Sequence, residues 1–197
     1  MQIGLFFGTF NPIHVGHVII GNYIAENTTM QQVWFVVTPH NPLKQKATLL
    51  DDYQRLEMVH RALAPYDKLR PSDIEFHLPQ PSYTVNTLQK LEEKYPQHSF
   101  ALIIGEDNLH TLHKWKNYQH LLAHYPIYVY PRIGSKKGIP EVLNHHHIHL
   151  TQTPMVDISA TFIRKQVEAG KNTRALMPAE AWQYMDEMNF YKSTYVR

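Results

Sequence analysis

The sequence predicts an α/β fold built on a doubly wound parallel sheet. Short apolar runs bounded by turn residues suit strands buried on both faces, and the segments between them place apolar residues at helical spacing. Strands that alternate with helices in this way favour parallel pairing through helical crossovers. At 197 residues the chain fits one compact domain, residues 1–197, with a small helical part from about residue 158.

The elements follow in order. Residues 2–7 form an apolar first strand that ends in Gly8-Thr9-Phe10-Asn11-Pro12. From residue 14 to 26, Val15, Val18, Ile19, Tyr23 and Ile24 recur as on a helix. Residues 33–38 make a second buried strand, closed by Pro39, and a polar loop runs to Leu50. The Asp51-Asp52 pair suits a helix N-terminus, and that helix ends before Pro65. Ile74-Glu75-Phe76-His77-Leu78 alternates and reads as a strand; Ser82 opens a helix that ends near Pro96. Residues 100–104 form a further apolar strand, followed by Gly105, and residues 127–130 and 148–150 are later strands. Residues 158–169 form a helix with Gly170 as its cap, and a last helix starts near Pro178.

Composition excludes several functions. Nineteen Lys+Arg stand against 17 Asp+Glu, a formal charge of +2, so phosphate recognition must come from a local site rather than a polyanion-binding surface. Cysteine is absent, which removes disulfides, thiolate nucleophiles and Cys-containing metal sites. The apolar runs fall short of the roughly 20 residues that span a bilayer, and the N-terminus lacks a basic signal region. A soluble, cytoplasmic protein is expected. His145, His146, His147 and His149 form the one local bias; they are either a metal cluster or, the preferred reading, a solvated loop before a strand.

The strongest chemical signal is Gly8-Thr9-Phe10-Asn11-Pro12-Ile13-His14-Val15-Gly16-His17. It joins the first strand to the first helix, where open α/β sheets bind ligands and helix N-termini present free N–H groups to anions. Gly8 is expected to let the backbone approach a phosphate. His14 and His17, three apart, share one helix face. Neither a Walker loop nor a G-x-G-x-x-G fingerprint is present.

This segment resembles the H-x-G-H motif of the nucleotidyltransferase superfamily, in the version found in nicotinate mononucleotide adenylyltransferases. Ile103-Ile104-Gly105-Glu106-Asp107 resembles that family's I-I-G-x-D, and Pro81-Ser82-Tyr83-Thr84 its pyridine-binding P-S-Y-T. Lys114-Trp115 resembles its aromatic platform, and Ile158-Ser159-Ala160-Thr161-Phe162-Ile163-Arg164 its I-S-x-T-x-I-R signature. The sequence departs from the pattern at Phe7, where a glycine is usual, at Asn11 for aspartate, at Lys116 for tyrosine, and in the loop Pro39-His40-Asn41-Pro42-Leu43-Lys44.

The resemblance implies a Rossmann-like fold and adenylyl transfer from ATP to nicotinate mononucleotide. It implies catalytic roles for His14, His17, Lys44 (with Lys46 its competitor) and Arg164. Gly8, Thr9, Phe10, Gly105, Asp107, Ser159 and Thr161 would bind ATP. Asn11, Ser82, Tyr83, Thr84, Trp115 and Lys116 would bind the pyridine nucleotide. Magnesium would travel on the phosphates, needing few protein ligands, so no protein metal site is assigned. Ser159 also has the plain reading of a helix cap. The rivals are an adenylyltransferase acting on nicotinamide mononucleotide or pantetheine phosphate, and a non-catalytic nucleotide-binding protein. Neither nucleic acid nor membrane is expected as a partner, and the oligomeric state is left open, a homo-oligomer included.

Overall fold

A computed structural model describes residues 1–39, 49–135, 138–143 and 145–193. Among the described residues, six parallel strands form one sheet in the order β3-β2-β1-β4-β5-β6. These are β1 (Gln2–Gly8), β2 (Gln32–Val37), β3 (Leu69–Ser72), β4 (Ser99–Gly105), β5 (Ile127–Tyr130) and β6 (Ile148–Leu150). From β1 the chain winds outward to one side through β2 and β3, then crosses back to β4 and continues to the other. The crevice beyond the carboxyl ends of β1 and β4 is therefore the switch point at which such sheets bind ligands.

The described α-helices cover the two faces: α1 (Val15–Asn27), α2 (Asp52–Leu63), α3 (Thr84–Lys94), α4 (Glu106–Leu109), α5 (Tyr118–His124), α6 (Ala160–Glu168) and α7 (Ala179–Glu187). Strand alternation sorts the core into two layers. Ile3, Leu5, Phe100, Leu102 and Ile104 pack against Leu88, Leu91, Leu121 and Leu122 of α3 and α5. Phe6, Val33, Phe35 and Ile103 pack on the other face against α1, α2, α6 and α7, with Ile24, Met58, Ile163 and Met185 in contact. The C-terminal helices thus share a core with the N-terminal loop they flank. Gly170 has φ +70°, the left-handed conformation expected of the residue that stops α6.

Two expectations need correction. Residues 74–78 are not a strand. Ile74–His77 is a 3-10 helix, wound by Phe76 N–H donating to the Asp73 carbonyl at 2.8 Å. The third strand is Leu69–Ser72, which contains Pro71; proline is tolerated there because β3 lies at the sheet edge. The helix assigned to Ser82 begins at Thr84, with the Tyr83 carbonyl accepting from the N–H groups of Asn86 and Thr87. Among the described residues, no helix is long and apolar enough to cross a membrane.

Candidate active site

The loop after β1 folds back onto the core. Phe10 takes a left-handed φ of +44°, uncommon for an aromatic residue, and its ring is 1% exposed. That ring lies edge-on to Phe6 and fills the space beside Gly8, where an added Cβ would sit 2.9 Å from it. Gly8 is thus required by the Phe10 ring, a packing reason that stands beside the expected approach of a phosphate to its backbone. The Phe10 side chain faces the core, so only its backbone is left to meet a ligand.

Beyond the loop, His14 is the N-cap of α1 and His17 lies in its first turn. Their rings stack with centroids 3.6 Å apart. The His14 N–H donates to His17 Nδ1 at 3.2 Å, which places the proton of neutral His17 on Nε2. Gly16 explains the glycine between the two histidines. The His14 ring folds over it, and a Cβ there would lie 3.0 Å from His14 Nδ1. That buried nitrogen has no hydrogen-bond partner among the described residues. Burial, assisted by the Arg132 guanidinium, lowers the His14 pKa to about 4. Burial, His14 and Arg132 hold His17 well below the ordinary imidazole range. Without a ligand, both rings are neutral at neutral pH and donate hydrogen bonds without carrying charge.

Two arginines and one asparagine fix the loop. Arg55 of α2 is fully buried and donates to the carbonyls of Thr9 (2.6 Å), Thr38 (2.9 Å) and Leu50 (3.1 Å). It also pairs with Asp52. Arg164 of α6 donates to the Asn11 carbonyl at 2.7 Å and to Thr161 Oγ1 at 3.2 Å. Asn11 Oδ1 accepts from Leu50 N–H and from the hydroxyl of Tyr191, whose burial raises its pKa and keeps it a donor. Ser159 is the N-cap of α6, accepting from Phe162 N–H at 3.2 Å, so the plain cap reading holds for its side chain.

The opposite wall comes from β4 and β5. Asp107, just after Gly105, forms a 2.8 Å ion pair with Arg132. Buried Glu106 accepts from the Arg132 N–H (3.2 Å) and the Ser135 hydroxyl (2.7 Å), fixing the turn that presents Arg132. His14, His17, Asp107, Arg132, Asp157 and Ser159 line a cavity of about 350 Å³ at this end of the sheet. A larger cavity of about 480 Å³ lies between the end of α6 and α7 and holds none of the motif residues.

The expected pyridine-binding residues other than Asn11, which lies in the loop after β1, fall around the start of α3 and in the segment before α5. Lys116 Nζ sits 4.5 Å above the Tyr83 ring, joining the segment before α3 to the one after Trp115. Trp115 is half-buried against the α3 and α5 layer. Ser82 and Thr84 flank Tyr83 at the start of α3. Lys44 and Lys46 lie outside the described residues.

The whole layout has counterparts among known proteins. The pattern of the cytidylyltransferase-like family matches residues 5–166. A probable nicotinate-nucleotide adenylyltransferase of Flavobacterium psychrophilum is 58% identical over 98% of this chain and 100% of its own length. One from Flavobacterium johnsoniae is 59% identical over the same shares. This chain belongs to the cytidylyltransferase-like family, among the nicotinate-nucleotide adenylyltransferases. The fold also matches the Plasmodium falciparum nicotinic acid mononucleotide adenylyltransferase solved with NaAD, at TM-score 0.77 and 18% identity, covering 96% of this chain and 97% of that one. A putative nicotinate-nucleotide adenylyltransferase from Vibrio parahaemolyticus aligns at TM-score 0.71 and 17% identity, over 98% and 96% of the two chains.

Within this adenylyltransferase fold, sequence reasoning missed Arg132, Arg55 and Tyr191. Arg132 carried a usable signal, because it follows the carboxyl end of β5, the side on which open sheets bind ligands. Arg55 gave none beyond being an arginine on a helix face that is otherwise apolar. Tyr191 reaches Asn11 across 180 residues, and no local pattern records such a pairing.

Proposed function

We propose that this chain transfers AMP from ATP to nicotinate mononucleotide, giving nicotinate adenine dinucleotide and pyrophosphate. The observation that carries the reading is the stacked His14/His17 pair at the start of α1, with Arg164 anchored to the same loop. The relatives at 58–59% identity bear the name of this activity. In the reaction, an oxygen of the mononucleotide phosphate bonds to the α-phosphorus of ATP. The bond from that phosphorus to the bridging oxygen breaks, and its electron pair leaves with pyrophosphate.

Such a transfer needs positioning and donors more than a covalent nucleophile. His17 Nε2–H and the His14 ring, both in the cavity wall, are assigned to the phosphates, where neutral donors stabilise charge that grows as the bond breaks. Arg164, Thr161 and Lys44 are assigned to the leaving pyrophosphate. We add Arg132, whose half-exposed pair with Asp107 is worth little in water and yields readily to a phosphate. Thr9, Gly105, Asp107 and the Ser159 end of α6 are assigned to ATP, and Asn11 to the loop's geometry beside the mononucleotide. Ser82, Tyr83, Thr84, Trp115 and Lys116 are assigned to the pyridine.

Magnesium fits this site as an ion carried by the triphosphate and water. The carboxylates in the cavity wall are Asp107 and Asp157, and Asp107 is engaged by Arg132. Bound there, it would neutralise phosphate charge. Residues 1–197 are read as one cytoplasmic nucleotidyltransferase unit whose last helices complete the phosphate site. Incubation with ATP, magnesium and nicotinate mononucleotide should release pyrophosphate and dinucleotide in equal amounts. Absence of turnover with any pyridine mononucleotide would sink the enzyme reading.

A further inference from the structure

His145, His146 and His147 precede β6, at the amino end of a parallel strand, and so lie at the opposite end of the sheet from His14 and His17. Consecutive side chains of an extended segment point to opposite faces, so three histidines in a row do not ordinarily converge. Here a turn brings them together. Ile148 N–H donates to the His145 carbonyl at 3.1 Å, and the His147 carbonyl accepts from Ile127 N–H of β5 at 2.8 Å. The rings then sit 4.1 to 5.1 Å apart, and one imidazole nitrogen from each lies within 4.8 Å of the others. His149, on β6 itself, lies against the Tyr128 ring and stands outside this group.

The arrangement has the marks of a ligand set. His147 Nδ1–H donates to the Leu122 carbonyl at 2.9 Å, leaving the lone pair on Nε2. This orienting bond to a backbone carbonyl is the one metal-bound histidines use. His145 Nδ1 accepts only a long bond, 3.3 Å, from the His147 N–H, which an ion at that nitrogen would replace. A tetrahedral ion with metal–nitrogen bonds of about 2.0–2.1 Å holds its nitrogens about 3.4 Å apart, so small ring rotations close the gap. The cluster contains no carboxylate. Imidazole alone suits zinc and its neighbours, whereas magnesium requires oxygen ligands.

We propose that His145, His146 and His147 form a site for a divalent transition-metal cation of the zinc type, completed by water, that ties the β5–β6 edge to the α5 end at Leu122. This reverses the preferred sequence reading of a plain solvated loop. The site is separate from the phosphate-borne ion, and neither depends on the other.

The test uses the full chain without an affinity tag, stripped with chelator and titrated calorimetrically with zinc chloride, then with magnesium chloride. A parallel cobalt titration reads the visible absorption of a nitrogen-ligated tetrahedral ion. One equivalent of zinc per chain should bind saturably, magnesium should give no heat, and cobalt should develop that spectrum. His146→Ala, at an exposed position, should weaken zinc binding at least about tenfold while adenylyl transfer is unchanged. His145→Asn should weaken it likewise, so the result does not rest on one variant. Absence of saturable binding, diffuse uptake of several weak equivalents, or one-site binding untouched by both substitutions would overturn the proposal.

Discussion

Where residues 8–17 meet α6, buried side chains hold the backbone; where residues 82–84 meet Trp115 and Lys116, the contacts are few and half-exposed. The first region has Arg55 gripping three carbonyls, Arg164 gripping a fourth, and Asn11 accepting from Leu50 and Tyr191. The second has one cation over one ring, a tryptophan leaning on the core, and local hydrogen bonds from Ser82 N–H to Gln80 and from Thr87 to the Tyr83 carbonyl. Rigidity sits where charge must be met within tenths of an ångström as a bond breaks. The pyridine end only has to tell one planar ring from another. On the proposed assignment of the two regions, substitutions should move kcat at one end and KM at the other.

The largest effect is expected at Arg55. Arg55→Met removes a buried cation, leaves Asp52 without it and orphans three carbonyls, so the chain should lose about 3–5 kcal/mol in urea unfolding. A loss below about 1 kcal/mol would show that the loop does not depend on this residue. Next comes His17→Ala, which should lower kcat by about 10²–10³-fold with little change in mononucleotide binding and an intact circular dichroism spectrum. Near-normal kcat would make the histidine structural.

The neutral histidine pair also sharpens the comparison through pH. His14 titrates at about 4 when folded against an ordinary value of 6.5. The unfolded chain therefore binds a proton that the folded chain refuses. That stability is fully present above pH 6.5 and is lost as pH falls toward 4. Tm of the ligand-free protein should drop across this window, and the His14→Gln variant should drop less. Identical slopes would place the titration elsewhere. The smallest effect belongs to the loose end. Trp115→Ala should raise KM for the mononucleotide about tenfold, the value of one aromatic contact, with kcat nearly unchanged.

The same contrast explains what was legible beforehand. The α1 start, the α6 cap at Ser159 and the strand ends at Gly8 and Gly105 are local features, written in runs of ten residues or fewer, and they could be read directly. The bonds that brace them join Asn11 to Tyr191 and to Arg164, across 180 and 153 residues, and no spacing rule encodes them. Alternation at residues 74–78 pointed to a strand because period two cannot distinguish one from a short 3-10 turn with two buried residues. The short strand around Pro71 was hidden for the opposite reason, since proline argues against any strand that is not at an edge. Arg132 lay in plain view after β5, but only the folded sheet shows that it lines the same cavity as the histidines.

One measurement tests the central claim directly: kcat/KM for nicotinate mononucleotide beside that for the nicotinamide form, with ATP and magnesium held fixed. A carboxylate offers two acceptors and a charge, whereas the amide turns an NH₂ donor toward any N–H or cation that reads the acid. With Lys116 beside Tyr83 and no side chain capping the start of α3, the acid form should be favoured by at least about 100-fold. Equal turnover of the two would contradict the nicotinate assignment and leave adenylyl transfer by the His14/His17 pair standing.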